Sequence, residues 1–445
     1  MAATIAKGRG LAGTNLRVLR LFRLRLRPNS LARRLIWSPV QPPLPRPMPD
    51  LLGLPDLLEA HVRAHLTPPR ARHQPLAATH AEALSLLSGL FTQARVSLPA
   101  GYMTQPRFRA AYLLYFVPTG VATVLHVLQR SGVLAHLTGR PLRVLDLGSG
   151  PLTATLALAL ATDAPLDVTA VDAARQSMED GAAILQQLRP DAKVRLIDGN
   201  LRDGKTLHKL SGQYDVILAA HVMNEWPNQT NRPAEDWLAR LLAERLAPGG
   251  AVVLVEPATR HGSHKLIDIR EHLTLESQLT ILSPCMGSMP CPLAENTRDW
   301  CHAEQPWQRP RLVTLLDDAI GHRRATLKFS HLVLADVPTP EPNRQLFRVI
   351  GGPMTAGDTF RRYLCGADGR RVAVAERHDA GRVWPELTTA WRGDALVVPG
   401  APAEMRRGKG SEPGWVPQKA RPVEMPQRRP PFDDRSAVAR KKPRR

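Results

Sequence analysis

The segment Asp146-Leu-Gly-Ser-Gly150 carries the residue types of a ligand-binding turn. A short β-branched and apolar run, Val144–Leu147, comes before its glycines, and a helix-forming stretch follows them. Glycines at 148 and 150 let the backbone pass close to a ligand, because they have no side chain to clash with it. Where a dinucleotide-binding turn offers a third glycine, this chain has Pro151-Leu152. That departure argues against a pyrophosphate cradle.

Polar residues follow the next three predicted strands. Asp172 ends the second strand, about twenty residues beyond the glycines, where an acidic residue can accept both hydroxyls of a ribose. Asp198 and Asn200 follow the third strand, and one or the other is expected to contact an adenine ring. Segment 221–224 follows the fourth strand, at the carboxyl edge where open α/β sheets bind ligands. The predicted cofactor-binding set is Asp146, Gly148, Gly150, Asp172, Asp198 and Asn200.

These features together resemble those of class I S-adenosylmethionine-dependent methyltransferases. A strand start at Tyr214-Asp215 and a turn at Leu246-Ala-Pro-Gly-Gly250 belong to the same resemblance. It implies S-adenosylmethionine binding but does not say which atom is methylated. Segment 224–227 is a poor match to the Asn/Asp-Pro-Pro-aromatic loop of amino-methylating enzymes. His221 or Glu225 could act as a catalytic base, and the alternative is that these residues only pack or form hydrogen bonds at the end of a strand. Catalytic residues therefore stay unassigned, and a Rossmann-like fold without a ligand is the alternative.

Four cysteines form a second group of residues that can do chemistry. Cys285, Cys291 and Cys301 fall within seventeen residues, and Cys365 lies far along the chain. Their number suits a four-thiolate site. Zinc sites usually show paired Cys-x-x-Cys knuckles, which this chain lacks, so the spacing leans slightly towards iron–sulfur. The alternatives are a zinc site, four unrelated buried thiols and, less suited to this placement, a nucleophile for cytosine C5 methylation.

Short strands alternating with helices must position both groups. We predict strands at Val144–Leu147, Val168–Val171, Val194–Ile197, Val216–Ala219 and Val252–Val255. Alternation of this kind predicts a parallel sheet with helices on both faces, which is an α/β fold.

The expected organisation has five parts. Residues 49–137 are predicted to be helical, with Pro118 and Gly120 splitting one apolar stretch into two helices. Residues 138–340 form a methyltransferase-like domain with a cysteine-bearing insert, and residues 341–397 form a small β-rich unit that completes the cysteine site. Residues 1–48 and 398–445 are predicted to be disordered basic extensions.

The chain is strongly basic, with 60 Lys and Arg against 40 Asp and Glu and a net charge of +20. Such a charge favours polyanions, nucleic acid first, although basic ends alone can inflate the sum. Residues 1–47 hold no acidic residue and fit a mitochondrial transit peptide, an rRNA-binding arm, or an extended gene start before Met48. No apolar run is expected to approach membrane-spanning length, so no membrane partner is expected.

The surroundings of the cysteines resemble one family. Three stretches carry the resemblance most specifically: Pro284-Cys285, Pro290-Cys291-Pro292-Leu293 and Asp299-Trp300-Cys301-His302. Placed after a methyltransferase-like core, they resemble the mitochondrial small-ribosomal-subunit methyltransferase-like family, which has bacterial relatives. The resemblance spans roughly residues 50–396 and includes segments 218–226 and 365–369. The sequence departs from the family's usual pattern at Met286-Gly287 and at Ala303, which are neighbours of the cysteines and not the cysteines themselves.

Membership implies a 4Fe-4S cluster on Cys285, Cys291, Cys301 and Cys365. It also implies S-adenosylmethionine binding and association with the small ribosomal subunit during its assembly, through contact with the rRNA. The alternatives are an active rRNA methyltransferase and a zinc-stabilised methyltransferase of a non-ribosomal substrate. We expect a bacterial cytoplasmic protein, with the mitochondrial matrix as the alternative, and the oligomeric state is not predicted.

Overall fold

The structure is a computed structural model. The residues it describes are 51–92, 101–137, 140–226, 233–296, 298–356, 359–376, 385–398, 414–415 and 421–422. The expectations for residues 1–48, and nearly all of those for 398–445, lie outside the described residues.

A large sheet forms the centre of the described chain. Its eight described strands are β1 (Leu142–Leu147), β2 (Leu166–Asp172), β3 (Lys193–Asp198), β4 (Tyr214–Ala220), β5 (Leu246–Pro257), β6 (Thr280–Ser283), β7 (Ala303–Pro306) and β8 (Thr326–Ala335). The order is β3-β2-β1-β4-β5-β8-β6, with β7 paired to β8. Strands β1 to β5 are parallel, and β8 runs antiparallel to its neighbours β5, β6 and β7. This is the order of the class I S-adenosylmethionine methyltransferase fold, so the predicted α/β fold class is confirmed.

Helices cover both faces of the large sheet. The described α-helices are α1 (Leu54–His61), α2 (Leu76–Thr92), α3 (Pro106–Ala111), α4 (Val117–Arg130), α5 (Thr153–Ala161), α6 (Arg175–Leu188), α7 (Gly204–Leu207), α8 (Pro233–Arg245), α9 (Arg260–Glu276), α10 (Arg311–Ile320) and α11 (Pro385–Thr389). Successive residues of a strand point to opposite faces. Val144 therefore belongs to an apolar core that includes residues of α1 to α6 and α10, whereas Leu145 belongs to a second core that includes residues of α8 and α9. With both faces covered, the central strands read as continuous apolar runs.

The N-terminal helices attach to this core through a buried carboxylate. Asp180 on α6 accepts hydrogen bonds from His61 Nε2 at 2.9 Å and from Arg109 Nε at 2.7 Å. The predicted break at Pro118 and Gly120 is wrong, because helical backbone runs on from α3 through a π-helical turn into α4. Pro118 is the second residue of α4, which directly follows the π-helical turn, Tyr112–Phe116, so the helix departs from regular α geometry just where the proline removes an N–H. Gly120 lets α5 approach, since a Cβ there would lie 2.7 Å from Thr153 Cγ2.

This continuous segment, Pro106–Arg130, is long and apolar enough to cross a membrane by length and composition. The expectation that no apolar run reaches such a length is therefore wrong. In the fold, 78% of the most apolar window is buried inside the protein. The apolar surface of the segment is accounted for by packing against the core.

A small sheet follows the large one. Its described strands are β9 (Leu346–Val349), β10 (Met354–Ala356), β11 (Thr359–Gly366), β12 (Gly369–Glu376), β13 (Ala395–Val397), β14 (Gly414–Trp415) and β15 (Arg421–Pro422). Phe347, Leu364 and Leu387 belong to its buried core. The contacts that join it to the large sheet include two short hydrogen bonds: Glu304 N donates to Arg392 O at 2.7 Å, and Arg348 Nε donates to Pro284 O at 2.5 Å. These contacts bring the end of β11 next to the segment between β6 and β7.

Candidate functional site

The turn after β1 uses its two glycines differently. Gly148 has φ +60°, and a Cβ there would lie 2.4 Å from Val222 Cγ2. Gly150 has φ +49°, but a Cβ there would meet no atom within 4 Å. The first glycine is therefore needed for packing against the segment after β4. The second leaves an open backbone face that a ligand can approach, which the sequence alone could not distinguish.

Asp172 holds this turn from the end of β2. Its Oδ2 accepts a hydrogen bond from Gly150 N at 2.8 Å and its Oδ1 accepts one from Ala174 N at 2.7 Å. Burial raises the pKa of the carboxyl, and the two backbone N–H groups oppose that rise. Each carboxylate oxygen has a second lone pair, so the group can still accept ribose hydroxyls. Asp172 thus has one structural role and room for a binding role.

Asp146 lies beneath the turn and is 1% exposed. Its Oδ2 accepts hydrogen bonds from Thr155 Oγ1 at 2.6 Å and from Thr155 N at 3.2 Å, which fixes the start of α5. Burial raises the pKa of the Asp146 carboxyl to about 7. The described contacts of Asp146 therefore stabilise the turn and the start of α5.

The two residues predicted to contact adenine lie one strand further out. Asp198 ends β3 and is the register partner of Asp172, and its side chain is exposed. Asn200 is also exposed, and its Oδ1 accepts a hydrogen bond from Arg202 N at 2.9 Å. The fold thus brings all six predicted cofactor positions to the carboxyl ends of β1, β2 and β3.

Sequence reasoning missed the residue that holds the post-β4 loop, residues 221–226. Glu256, fully buried at the end of β5, accepts hydrogen bonds from Met223 N at 2.8 Å and from the Asn224 side-chain amide. His221 has φ +64°, a left-handed conformation that is unusual for a residue with a side chain. The available signal was a carboxylate at the end of an apolar strand. The loop is therefore anchored at its centre, with a strained residue at its start.

The four cysteines meet at one cavity. Cys285 and Cys291 follow β6, Cys301 precedes β7, and Cys365 lies near the end of β11. All four line a cavity that holds about 490 Å³ of space between atoms, part of it open to solvent. Three of the thiols thus come from beside the large sheet and one from the small sheet. We name this space, with its four cysteines, the cysteine cavity.

Two arginines that sequence reasoning missed also line the cysteine cavity. Arg270 on α9 donates from Nε to Cys285 Sγ at 3.3 Å and from Nη2 to Met289 O at 2.5 Å. Arg348 on β9 is the register partner of Cys365 on β11. No spacing in the sequence links either arginine to the cysteines, because the contacts are made by separate elements.

Burial dominates the ionisation of the thiols. It raises the pKa of Cys291 to about 11 and that of Cys301 to about 12, and it also raises the pKa of Cys365. The neighbouring cysteines raise these pKa values further. A bound metal ion or metal cluster would instead lower the pKa values of these thiols, because a coordinating thiol is deprotonated.

Among the described residues, no three His, Cys, Asp or Glu side chains are grouped so that they could hold a metal ion. A single zinc ion needs its ligands about 2.0–2.3 Å from one point. In a 4Fe-4S cluster each thiolate binds a different iron atom, so the sulfur atoms need not meet at one point. Four thiols around one cavity with two cations fit a larger anionic group better than a single ion.

A family comparison covers both parts of the site. Residues 107–396 match the family described as mitochondrial small ribosomal subunit Rsm22. This chain belongs to the Rsm22 family. The match includes all four cysteines and all six predicted cofactor positions, and the predicted family resemblance is confirmed.

Comparison of the Rsm22-family chain with solved structures gives matches at low identity and low TM-score. A precorrin-6y C5,15-methyltransferase from Geobacter metallireducens is 14% identical with a TM-score of 0.29, covering 46% of this chain and 87% of that one. A putative RNA methyltransferase from Pyrococcus horikoshii is 12% identical with a TM-score of 0.29, covering 49% and 84%. Scores of this size add nothing to what the strand order shows. Comparison with curated proteins gives no significant match.

Proposed function

We propose that this Rsm22-family chain binds S-adenosylmethionine and a 4Fe-4S cluster and acts in assembly of the small ribosomal subunit through contact with its rRNA. One observation carries the proposal: three cysteines from the segment between β6 and β7 and one from β11 of the small sheet line a single cavity. The family match supports the ribosomal part of the proposal, because the description of the family names the mitochondrial small ribosomal subunit.

The cluster would be held by Cys285, Cys291, Cys301 and Cys365. When bound, it supplies a redox-active inorganic centre and binding free energy that the unfolded chain cannot capture. Because Cys365 belongs to the small sheet, that free energy would also stabilise the junction between the two sheets.

S-adenosylmethionine would lie along the carboxyl ends of β1, β2 and β3, and when bound it is a methyl donor. The open backbone face of Gly150 leaves room for the ligand, and the carboxylate of Asp172 has lone pairs left to accept hydrogen bonds from the ribose hydroxyls. Asp198 and Asn200 are exposed at the position expected for the adenine.

A basic surface on and after β3, near the proposed S-adenosylmethionine site, supports contact with rRNA. Arg195, Arg202, Lys205 and Lys209 are exposed on and after β3, and within the described part of the chain none forms an ion pair with a carboxylate. Arg202 also lies over the ring of Trp226, 5.7 Å from its centroid. Cations left unpaired in this way can neutralise phosphates, so RNA binding should weaken steeply as salt rises.

The decisive experiment substitutes one cysteine. Cys291→Ser should lose the brown colour and iron content of anaerobically purified protein, and should lose co-sedimentation with small ribosomal subunits. Met289→Leu is the matched control, because Met289 lines the same cavity without supplying a thiol. An iron-free Cys291→Ser protein that still co-sediments normally would separate the cluster from the ribosomal role. Zinc in place of iron would favour the zinc-stabilised alternative.

Methyl transfer to rRNA is the second candidate. The left-handed backbone of His221, at the ligand-binding edge, favours it, because such strain concentrates at functional sites. Small-subunit precursors incubated with labelled S-adenosylmethionine would take up label from the native protein and not from Asp172→Ala. Absence of label from both would leave binding without transfer.

We propose the mitochondrial matrix as the compartment. The family description names the mitochondrial ribosome, which favours the mitochondrial matrix over the bacterial cytoplasm expected from the sequence. Fractionation of source cells with an antibody to the protein would test this.

A further inference from the structure

We propose that Arg348 and Arg270 are the counter-charges of the cluster in the cysteine cavity, and that they raise its reduction potential, Arg348 more than Arg270. The inference rests on the proposed cluster, and it adds two residues outside the cysteine set that would control its redox state.

The hydrogen bonds of Arg348 go to uncharged groups, and Asp394 is a carboxylate whose charge also acts on it. Arg348 Nε donates to Pro284 O at 2.5 Å and its Nη1 donates to Gly393 O at 2.8 Å, while Nη2 lies 3.5 Å from Ser283 Oγ. No carboxylate forms an ion pair with it in the described parts of the chain. An arginine stays protonated in proteins, so its positive charge is available to whatever occupies the cavity.

Arg270 is closer to a sulfur atom but is partly neutralised. Its Nε donates to Cys285 Sγ at 3.3 Å, whereas its Nη1 forms an ion pair with Glu271. The Glu271 carboxylate also accepts a hydrogen bond from Cys291 N at 3.0 Å. Because this carboxylate offsets the guanidinium charge, we expect Arg270 to act mainly through its hydrogen bond to sulfur.

The direction of the effect follows from charge. A 4Fe-4S cluster with four thiolates is anionic, and one-electron reduction makes it more so. Nearby cations and hydrogen bonds to sulfur stabilise the more negative state, which raises the reduction potential. Low exposure to water strengthens an interaction of this kind, and the side chain of Arg270 is only 4% exposed, while Arg348 bonds from the small sheet to Pro284 beside the large one.

The test compares charge-keeping and charge-removing variants of the full chain with iron loaded anaerobically. Arg348→Lys and Arg348→Met, and likewise Arg270→Lys and Arg270→Met, are titrated with dithionite while the reduced cluster is followed by electron paramagnetic resonance. Arg189→Met is the matched control, because Arg189 also donates to backbone carbonyls, among them Thr162 O at 2.7 Å, but lies at the end of α6 away from the cysteines. Circular dichroism checks that each variant is folded.

We expect the midpoint potential to fall in Arg348→Met, to fall less in Arg270→Met and to stay near the native value in Arg348→Lys and Arg189→Met. Loss of iron from folded Arg348→Met with retention in Arg348→Lys would equally support a counter-charge. Native potential and native iron content in Arg348→Met would overturn the inference, as would equal loss of iron from both folded Arg348 variants. If Arg348→Met does not fold, the Arg270 pair decides. Iron absent from the native protein itself would instead refute the proposed cluster.

Discussion

At the scale of single residues, Asp146 makes stability depend on pH. Its carboxyl is enclosed by protein, and burial raises its pKa from 3.8 to about 7. Between those pH values the unfolded chain ionises while the folded chain keeps its proton. The stabilisation is therefore present in full below pH 3.8 and is lost as pH rises towards 7, by up to roughly 1.4 kcal/mol for each pH unit.

We expect Asp146→Asn, which cannot titrate, to be less sensitive to pH than the native protein. The native free energy of unfolding should fall relative to that of the variant between pH 5 and pH 7, as measured by urea denaturation of both proteins at each pH. Using the difference cancels other titrating groups that the two proteins share. An unchanged difference would mean that Asp146 is ionised across this range.

At the scale of elements, the two glycines of the turn between β1 and α5 have different roles: Gly148 is needed for packing, and Gly150 leaves space for a ligand. An alanine in the left-handed region costs about 1–2 kcal/mol at either glycine. Gly148→Ala should cost about 1–3 kcal/mol more, because its Cβ would collide with Val222. Gly150→Ala should instead lower S-adenosylmethionine affinity at least about tenfold, a loss of about 1.4 kcal/mol, because its Cβ enters the open face.

Thermal unfolding and calorimetric titration with S-adenosylmethionine would check both variants. Adding Val222→Ala to Gly148→Ala should restore part of the stability, since it removes the colliding methyl groups. If Gly150→Ala binds the ligand as the native protein does, the ligand does not lie against this turn.

The elements also mark how far the sequence could predict this protein. Strands β1 to β5 were predictable, because buried parallel strands leave long apolar runs between turns. Helix α4 was misjudged because Pro118 and Gly120 usually interrupt helices, whereas here a π-helical turn precedes Pro118 and the helical backbone continues through both residues. The cysteine set was predictable from residue type. Glu256, Arg270 and Arg348 were not, because contacts between distant elements give them their roles.

At the scale of the whole described molecule, the cysteine cavity lies where the large and small sheets join. Arg348 bonds across that junction to Pro284, and Glu304 N bonds to Arg392 O. The described core of the small sheet is limited to a few residues such as Phe347 and Leu364. A sheet with so little apolar burial gains little free energy of its own, so its order should depend on the junction.

Removing iron should therefore loosen the small sheet and leave the large one intact. After anaerobic chelation we expect amide hydrogen exchange to rise at least tenfold in β9 and β11, equivalent to about 1.4 kcal/mol, with β1 and β4 unchanged. Cys365→Ser should reproduce the pattern without a chelator, because it removes the one thiol supplied by the small sheet. Equal exchange with and without iron would mean that the existing hydrogen bonds hold the sheets together unaided. The cluster would then have no structural part in the fold, and a loss of ribosome association in Cys291→Ser would need another cause.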